Sequence, residues 1–264
     1  MQWSIVPGRF QWVRFLAAGC CLCTALHSAF AAARITGEAG AEYVSFHYDE
    51  PGVMREDGPM FGVFGRARLE YRVATVRVEG SLDAGEIRYK GWLIDSETGD
   101  PIRPMELDTP NAVLNLRFLG GPVARCNPHL AIGPLVGMGF RSLYNDLPGV
   151  GGYTRLQNYL YLPVGFEISG VIAGGWEYVL TQEYDVFLYG ENVSGGLSFT
   201  QDSGYGFHVS AGISGRLPGS RALGIRVEPF FRYWNIDTSS VSPDGWCEPA
   251  NNCSEYGIRC SVLF

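Results

Sequence analysis

Charge is scarce in this sequence. Asp, Glu, Lys and Arg together make up 18% of 264 residues, against about 25% in an ordinary soluble domain. What charge there is leans acidic, with a net of −7. No basic excess of the kind nucleic acid selects is present, so no nucleic-acid partner is expected. Long hydrophobic runs are missing beyond residue 31. No later stretch approaches the ~20 uninterrupted apolar residues that a membrane-crossing helix needs, so any later membrane role must use strands. Internal repeats, low-complexity tracts, phosphate-binding loops, thiol metal clusters and nucleophile motifs are absent too. No cofactor, no metal centre and no catalytic residue is therefore expected.

Glycine and aromatic rings stand in place of charge. There are 35 glycines, and Phe, Trp and Tyr reach 13%. That balance suggests many strands and tight turns. The first 31 residues read as an export signal: Arg9 and Arg14 form a basic start, "FLAAGCCLCTALHSAFA" an apolar core, and Ala29-Phe30-Ala31 a small-residue cleavage site. A membrane anchor helix or a lipid-modified Cys20 are the alternatives. Cleavage leaves a mature domain over 32–264 with a net charge of 18 − 27 = −9.

That domain alternates with period two, the signature of strands. Leu223, Ile225, Val227, Phe231 and Tyr233 share one parity, and Arg226, Glu228 and Arg232 hold the other. The pattern recurs over 35–47, 59–72, 74–90, 110–119, 129–142, 156–170, 176–188, 205–216, 223–234 and 255–264, which makes ten strands, or eight if two weak ones belong to loops. Short connections near 73, 120–128, 171–174 and 218–221 alternate with long ones over 48–58, 91–109, 144–155, 190–203 and 237–253. Short turns on one side and long loops on the other fit an all-β, up-and-down transmembrane barrel with both termini on the short-turn side. Arg66, Arg68, Glu70, Arg77, Glu79, Glu183, Arg226, Glu228, Arg232, Glu255 and Arg259 all share the parity opposite the apolar face. They are expected to line the lumen as a charge network, with apolar residues facing lipid. Tyr43, Tyr71, Trp92, Tyr144, Tyr153, Trp176, Tyr189, Tyr205 and Tyr233 fall toward the ends of these strands, as interfacial aromatics do.

The last strand, "SEYGIRCSVLF", places Tyr256, Ile258, Cys260, Val262 and Phe264 on one face. It resembles the sorting signal read by the β-barrel assembly machinery. Together with "FHYDEPGVMREDGPMFGV", "NYLYLPVGFE", "SGYGF" and "EPFFRYWNID", it makes residues 40–264 similar to a family of small proteobacterial outer-membrane β-barrel proteins. The resemblance implies a barrel in the outer membrane of a Gram-negative bacterium, in contact with its lipid and lipopolysaccharide. It implies no catalytic residue.

Other features invite specific expectations. Cys247 and Cys253 lie in one long loop, and a disulfide between them would stabilise by ~2 kcal/mol after export; Cys126 and Cys260 are expected to be free. His47 stands in "SFHYDE" near Asp49 and Glu50, at the outer rim, where a histidine held against a partner could act as a general base. The acidic stretches at 55–58 and 95–100 could hold a calcium ion or bridge to lipopolysaccharide phosphates. The expected protein is a monomeric, non-enzymatic barrel with a plugged lumen and a structural or surface role. A narrow porin-like channel and an outer-membrane hydrolase with a rim active site are the alternatives.

Overall fold

The computed structural model describes residues 33–94, 101–127, 129–149, 152–217, 219–220, 223–242 and 245–264. The expected signal peptide and the acidic stretch at 95–100 lie outside the described residues. Twelve strands follow in order: β1 (Ala33–Glu50), β2 (Met54–Tyr71), β3 (Ala74–Ile94), β4 (Pro101–Pro122), β5 (Ala124–Asn127), β6 (Leu130–Asp146), β7 (Thr154–Val171), β8 (Glu177–Ser194), β9 (Leu197–Gln201), β10 (Gly204–Arg216), β11 (Gly224–Ile236) and β12 (Asn251–Leu263). Ten of them close into an antiparallel barrel. β12 returns to β1 with Arg259 opposite Glu42, and β8 meets β10 with Glu183 opposite His208. β5 is a short extension beside β6, and β9 folds back on the far end of β8. Closure pairs the backbone all round the ring, which lipid requires. The ring has ten strands and not eight.

The strands are longer than the alternation at their centres suggested. β1 and β2 run 18 residues each, and β3 and β4 reach 21 and 22. A tilted strand needs only about 9–11 residues to cross a bilayer. The supposed loop at 48–58 is mostly strand, with a tight turn at 51–53 where Gly52 takes φ 81°. Much of 91–109, 144–155 and 190–203 is strand as well. The barrel therefore stands well clear of the membrane at the end opposite the chain termini.

The two halves of the barrel have opposite polarity. Near the termini, outward positions are apolar: Ile35, Phe61, Val63, Val78, Leu82, Leu116, Phe118, Val136, Met138 and Val227 are all exposed. Water does not tolerate a continuous apolar belt of this extent, and lipid does. Farther up the same strands, outward positions become His47, Asp49, Arg55, Asp57, Arg88, Lys90, Glu106 and Asp108. Inward positions change at the same level. Below it they are Glu38, Glu42, Arg66, Arg77 and Glu79; above it Val44, Phe46, Tyr48, Met60, Ile87, Tyr89, Leu143 and Ile236 form a buried apolar core. The upper half is thus built like a water-soluble protein and the lower half is its inverse.

Aromatic rings mark the boundary. Tyr43 and Phe61 pack edge to face at 5.3 Å, Tyr184 stacks on Tyr205 at 5.9 Å, and Phe231 lies 4.8 Å from Tyr256. Apart from Tyr205 at the start of β10, these rings sit part-way along their strands, because the strands continue past the bilayer surface. Inside, large rings meet glycine on the facing strand. A Cβ on Gly257 would come within 2.1 Å of the Phe230 ring, and one on Gly139 within 2.1 Å of the Tyr161 ring. Part of the glycine content is therefore a packing requirement of a filled barrel.

Candidate functional site

The membrane half of the lumen is crossed by arginine–glutamate bridges. The tight turn between β2 and β3 sets Arg66 opposite Glu79, and the pairing of β11 with β12 sets Glu228 opposite Arg259 and Arg232 opposite Glu255. Arg66 contacts three carboxylates at once: Glu79 at 2.9 Å, Glu38 at 3.1 Å and Glu228 at 3.0 Å. Arg259 joins Glu42 at 2.5 Å to Glu228 at 3.0 Å. Arg77 reaches Glu79 at 2.5 Å, Glu167 at 2.8 Å and Glu183 at 3.1 Å. Arg117 pairs with Glu79 at 2.7 Å, with Glu183, and with His208 at 2.9 Å. Arg232 and Arg141 both hold Glu255, at 2.8 and 2.5 Å.

These contacts span the bore as well as neighbouring strands, since Arg66 of β2 meets Glu228 of β11 and Arg77 of β3 meets Glu183 of β8. All the lumen cations are arginines; Lys90, the one lysine in the sequence, faces outward. A planar guanidinium has five donors and can serve several carboxylates, whereas an ammonium is a point charge.

The lattice is dense. The space between Phe64, Arg117, Tyr161, Asp185 and Trp234 has a volume of only about 20 Å³, room for roughly one water. Below it, at the end holding the termini, the bore widens into a vestibule of about 460 Å³ lined by Arg34, Arg68, Arg72, Arg125, Arg216 and Arg226 beside Glu70 and Glu177. Arg68 reaches up from there to Glu167 at 2.5 Å and Arg226 to Glu38 at 3.1 Å. Glu70 stays at the mouth, 3.1 Å from Arg68 and 3.7 Å from Arg125.

A second polar cluster closes the top. Arg155 pairs with Glu50, lies 3.5 Å from Glu248 and 3.9 Å from Glu56, and stacks over the Tyr48 ring at 5.0 Å. Glu248, in the connection between β11 and β12, is itself buried, and its backbone N–H donates to the Ser239 hydroxyl at 2.8 Å. Burial, then the neighbouring Glu50 carboxylate, push the Glu248 carboxyl up to about 7. Its folded pKa exceeds the ordinary value near 4.5. Its contribution is therefore whole below that value and fades as pH rises through about 7, by at most ~1.4 kcal/mol per pH unit. Residues 239–250 should accordingly show higher hydrogen-exchange protection at pH 5.5 than at pH 8, after correction for intrinsic exchange. Equal protection would contradict this, and Glu248→Gln should abolish the difference.

Sequence parity pointed to the membrane half of this network, and Glu38, Glu42, Arg117, Arg141 and Glu167, which fall on the same parity, complete the lattice. Glu50, Glu56, Arg155 and Glu248 were missed because their segments read as loops. The expected Cys247–Cys253 disulfide is not formed. Cys253 points into the lumen, where its thiol lies 3.3 Å from Arg141, while Cys247 is exposed in the connection outside. Cys126 and Cys260 are free and exposed. The acidic stretch at 55–58 does not converge on an ion: Glu56 turns inward to Asn111 at 2.9 Å and Asp57 outward to His47 at 2.7 Å. Tyr256, Ile258, Cys260, Val262 and Phe264 share the outward face of the closing strand, and Phe264 hydrogen-bonds the Gly37 backbone at 2.8 and 2.9 Å.

No family model matches the chain, and no match to a curated protein is found. Among solved structures, the chain is similar to the outer-membrane protease OmpT of Escherichia coli, with a TM-score of 0.62 and 11% identity over 87% of this chain and 95% of that one. The translocator domain of the autotransporter NalP from Neisseria meningitidis gives a TM-score of 0.46 at 10% identity, covering 94% of this chain and 97% of that chain. Ail of Yersinia pestis gives 0.35 at 11% identity, covering 88% and 99%. The first of these likenesses shows the fold: this chain is a transmembrane β-barrel of the outer-membrane kind.

Proposed function

We propose that this protein is a sealed, monomeric outer-membrane barrel of a Gram-negative bacterium, with a structural or surface-interaction role and not a transport role. The supporting observation is the set of arginine bridges that cross the bore, above all Arg66 between Glu38, Glu79 and Glu228. A ten-strand barrel is little wider than the size that side chains can fill, and here both the lattice and the upper apolar core fill it. At the level of the apolar belt the closed ring offers no free strand edge for pairing with a second copy. The apolar belt contacts lipid, the charged outer wall above it contacts lipopolysaccharide, and the terminal strand is what the barrel assembly machinery engages during insertion.

Planar-bilayer recording of the refolded protein tests this reading. The wild type should give no steady current, while Arg226→Ala with Arg232→Ala should introduce a leak or prevent stable folding. A wild-type barrel that passes steady ohmic current, unchanged in the double variant, would overturn it in favour of the narrow channel.

A further inference from the structure

The outer wall of the barrel carries an arrangement that the sealed lumen does not explain. On β1, Ser45 and His47 are two residues apart and so project from the same face. The Ser45 hydroxyl lies 3.2 Å from His47 Nε2. On β2, the tight turn sets Asp57 directly opposite His47, and its Oδ1 lies 2.7 Å from His47 Nδ1. A carboxylate accepts only, so Nδ1 carries the proton and donates it to Asp57. Nε2 is then left as an acceptor facing the Ser45 hydroxyl. This is the order of groups that activates a serine: a hydroxyl, an imidazole to take its proton, and a carboxylate to fix the tautomer and steady the imidazolium.

Its location defines the substrate. Immediately below on the same face are Tyr43, Phe61 and Val63, exposed to 41, 66 and 64% at the top of the apolar belt. The edge of the Tyr256 ring flanks His47 at 6.3 Å. Arg55 lies 3.9 Å from Asp57 and 3.6 Å from Asp49, so a cation borders the patch on the side away from the belt. An acyl chain lying along the belt would bring its ester linkage to the level of Ser45 and its anionic head toward Arg55.

We propose that Ser45, His47 and Asp57 form an esterase site that hydrolyses carboxylic esters of outer-leaflet lipids. The Ser45 oxygen bonds to the ester carbonyl carbon as its proton passes to His47 Nε2. The carbon–alkoxide bond then breaks, and the leaving alkoxide takes that proton from His47. A water attacks the acyl-serine, again with His47 as base. The acyl-serine bond breaks, and the proton returns from His47 to the Ser45 oxygen. The sum is ester plus water giving fatty acid plus alcohol, with no redox change and no co-reactant. Ser45 and His47 are the catalytic residues and Asp57 is a positioning residue. The site does not depend on whether the lumen conducts, so the two readings stand or fall separately.

The test uses the full mature barrel refolded into vesicles of phosphatidylethanolamine, and separately into vesicles containing lipopolysaccharide. Fatty-acid release is measured in both, and covalent labelling by a fluorophosphonate is located by peptide mass. The wild type should release fatty acid from at least one of the two lipids and carry the label on Ser45. S45A and H47A should fall to the protein-free background while keeping heat-modifiable migration, which reports an intact barrel. D57N should lower kcat by about a hundredfold or more with KM unchanged. Release from one vesicle type alone identifies the lipid class. No label on Ser45 with no release from either lipid, or undiminished release by S45A, would overturn the assignment.

Discussion

Arg66→Ala is expected to destabilise the barrel by about 3–5 kcal/mol, the usual cost of removing one partner from a buried ion-pair network. Arg66 is almost fully buried and serves Glu38, Glu79 and Glu228 within 3.1 Å. Its removal leaves Glu38 with Arg226, Glu228 with Arg259 and Arg226, and Glu79 with Arg77 and Arg117. The three carboxylates then share fewer cations in a bore that water scarcely enters. Arg66→Lys should recover only part of the loss, because one ammonium cannot fork between three acceptors. Urea unfolding in vesicles measures the difference. A change below about 1 kcal/mol for Arg66→Ala would mean that the lattice is far more hydrated than its geometry implies.

Trp234→Ala is expected to cost a similar ~3–5 kcal/mol, for a different reason. The indole is 2% exposed and sits where the charge lattice meets the upper core. Its ring lies 4.7 Å from Tyr161 and 5.9 Å from Tyr159. The facing strand has Gly206 there, and a Cβ on it would stand 2.8 Å from the indole, so the ring fills a place cut to its shape. Truncation leaves a cavity that opens directly onto the small space beside Arg117 and Asp185. The variant should therefore unfold at lower urea. Trp234→Phe, which keeps most of the volume, should lose much less. Equal losses for the two would contradict a packing role.

The membrane half of the fold was legible because one rule dominates there: apolar residues face out and charged residues face in. Arg66 and Glu79 could be set on neighbouring strands from parity and one tight turn, and the structure places them opposite each other. The upper half was not legible because the rule reverses there. Tyr48, Glu50 and Met54 point inward and His47, Asp49 and Arg55 outward, which read against the membrane pattern looks like a loop. Once the turn at 51–53 is recognised, the same arithmetic that pairs Glu50 with Met54 pairs His47 with Asp57. The serine–histidine–aspartate arrangement was thus hidden by one misassigned hairpin. The Cys247–Cys253 pairing failed for a reason already present in the sequence. Cys253 shares parity with Glu255 and Arg259, so it had to face the lumen, away from a cysteine in the exposed connection.

In the proposed topology the bilayer surrounds the lower half of the barrel and the upper half stands in water outside the cell. Lys90 tests that placement most directly. It is the only lysine in the sequence, it projects outward from β3 well above the apolar belt, and its side chain is 58% exposed beside Glu106. Intact cells treated with a membrane-impermeant amine-reactive ester should yield the modified Lys90 peptide, and Lys90→Arg should abolish it. Modification of Lys90 only after the outer membrane is permeabilised would contradict the account.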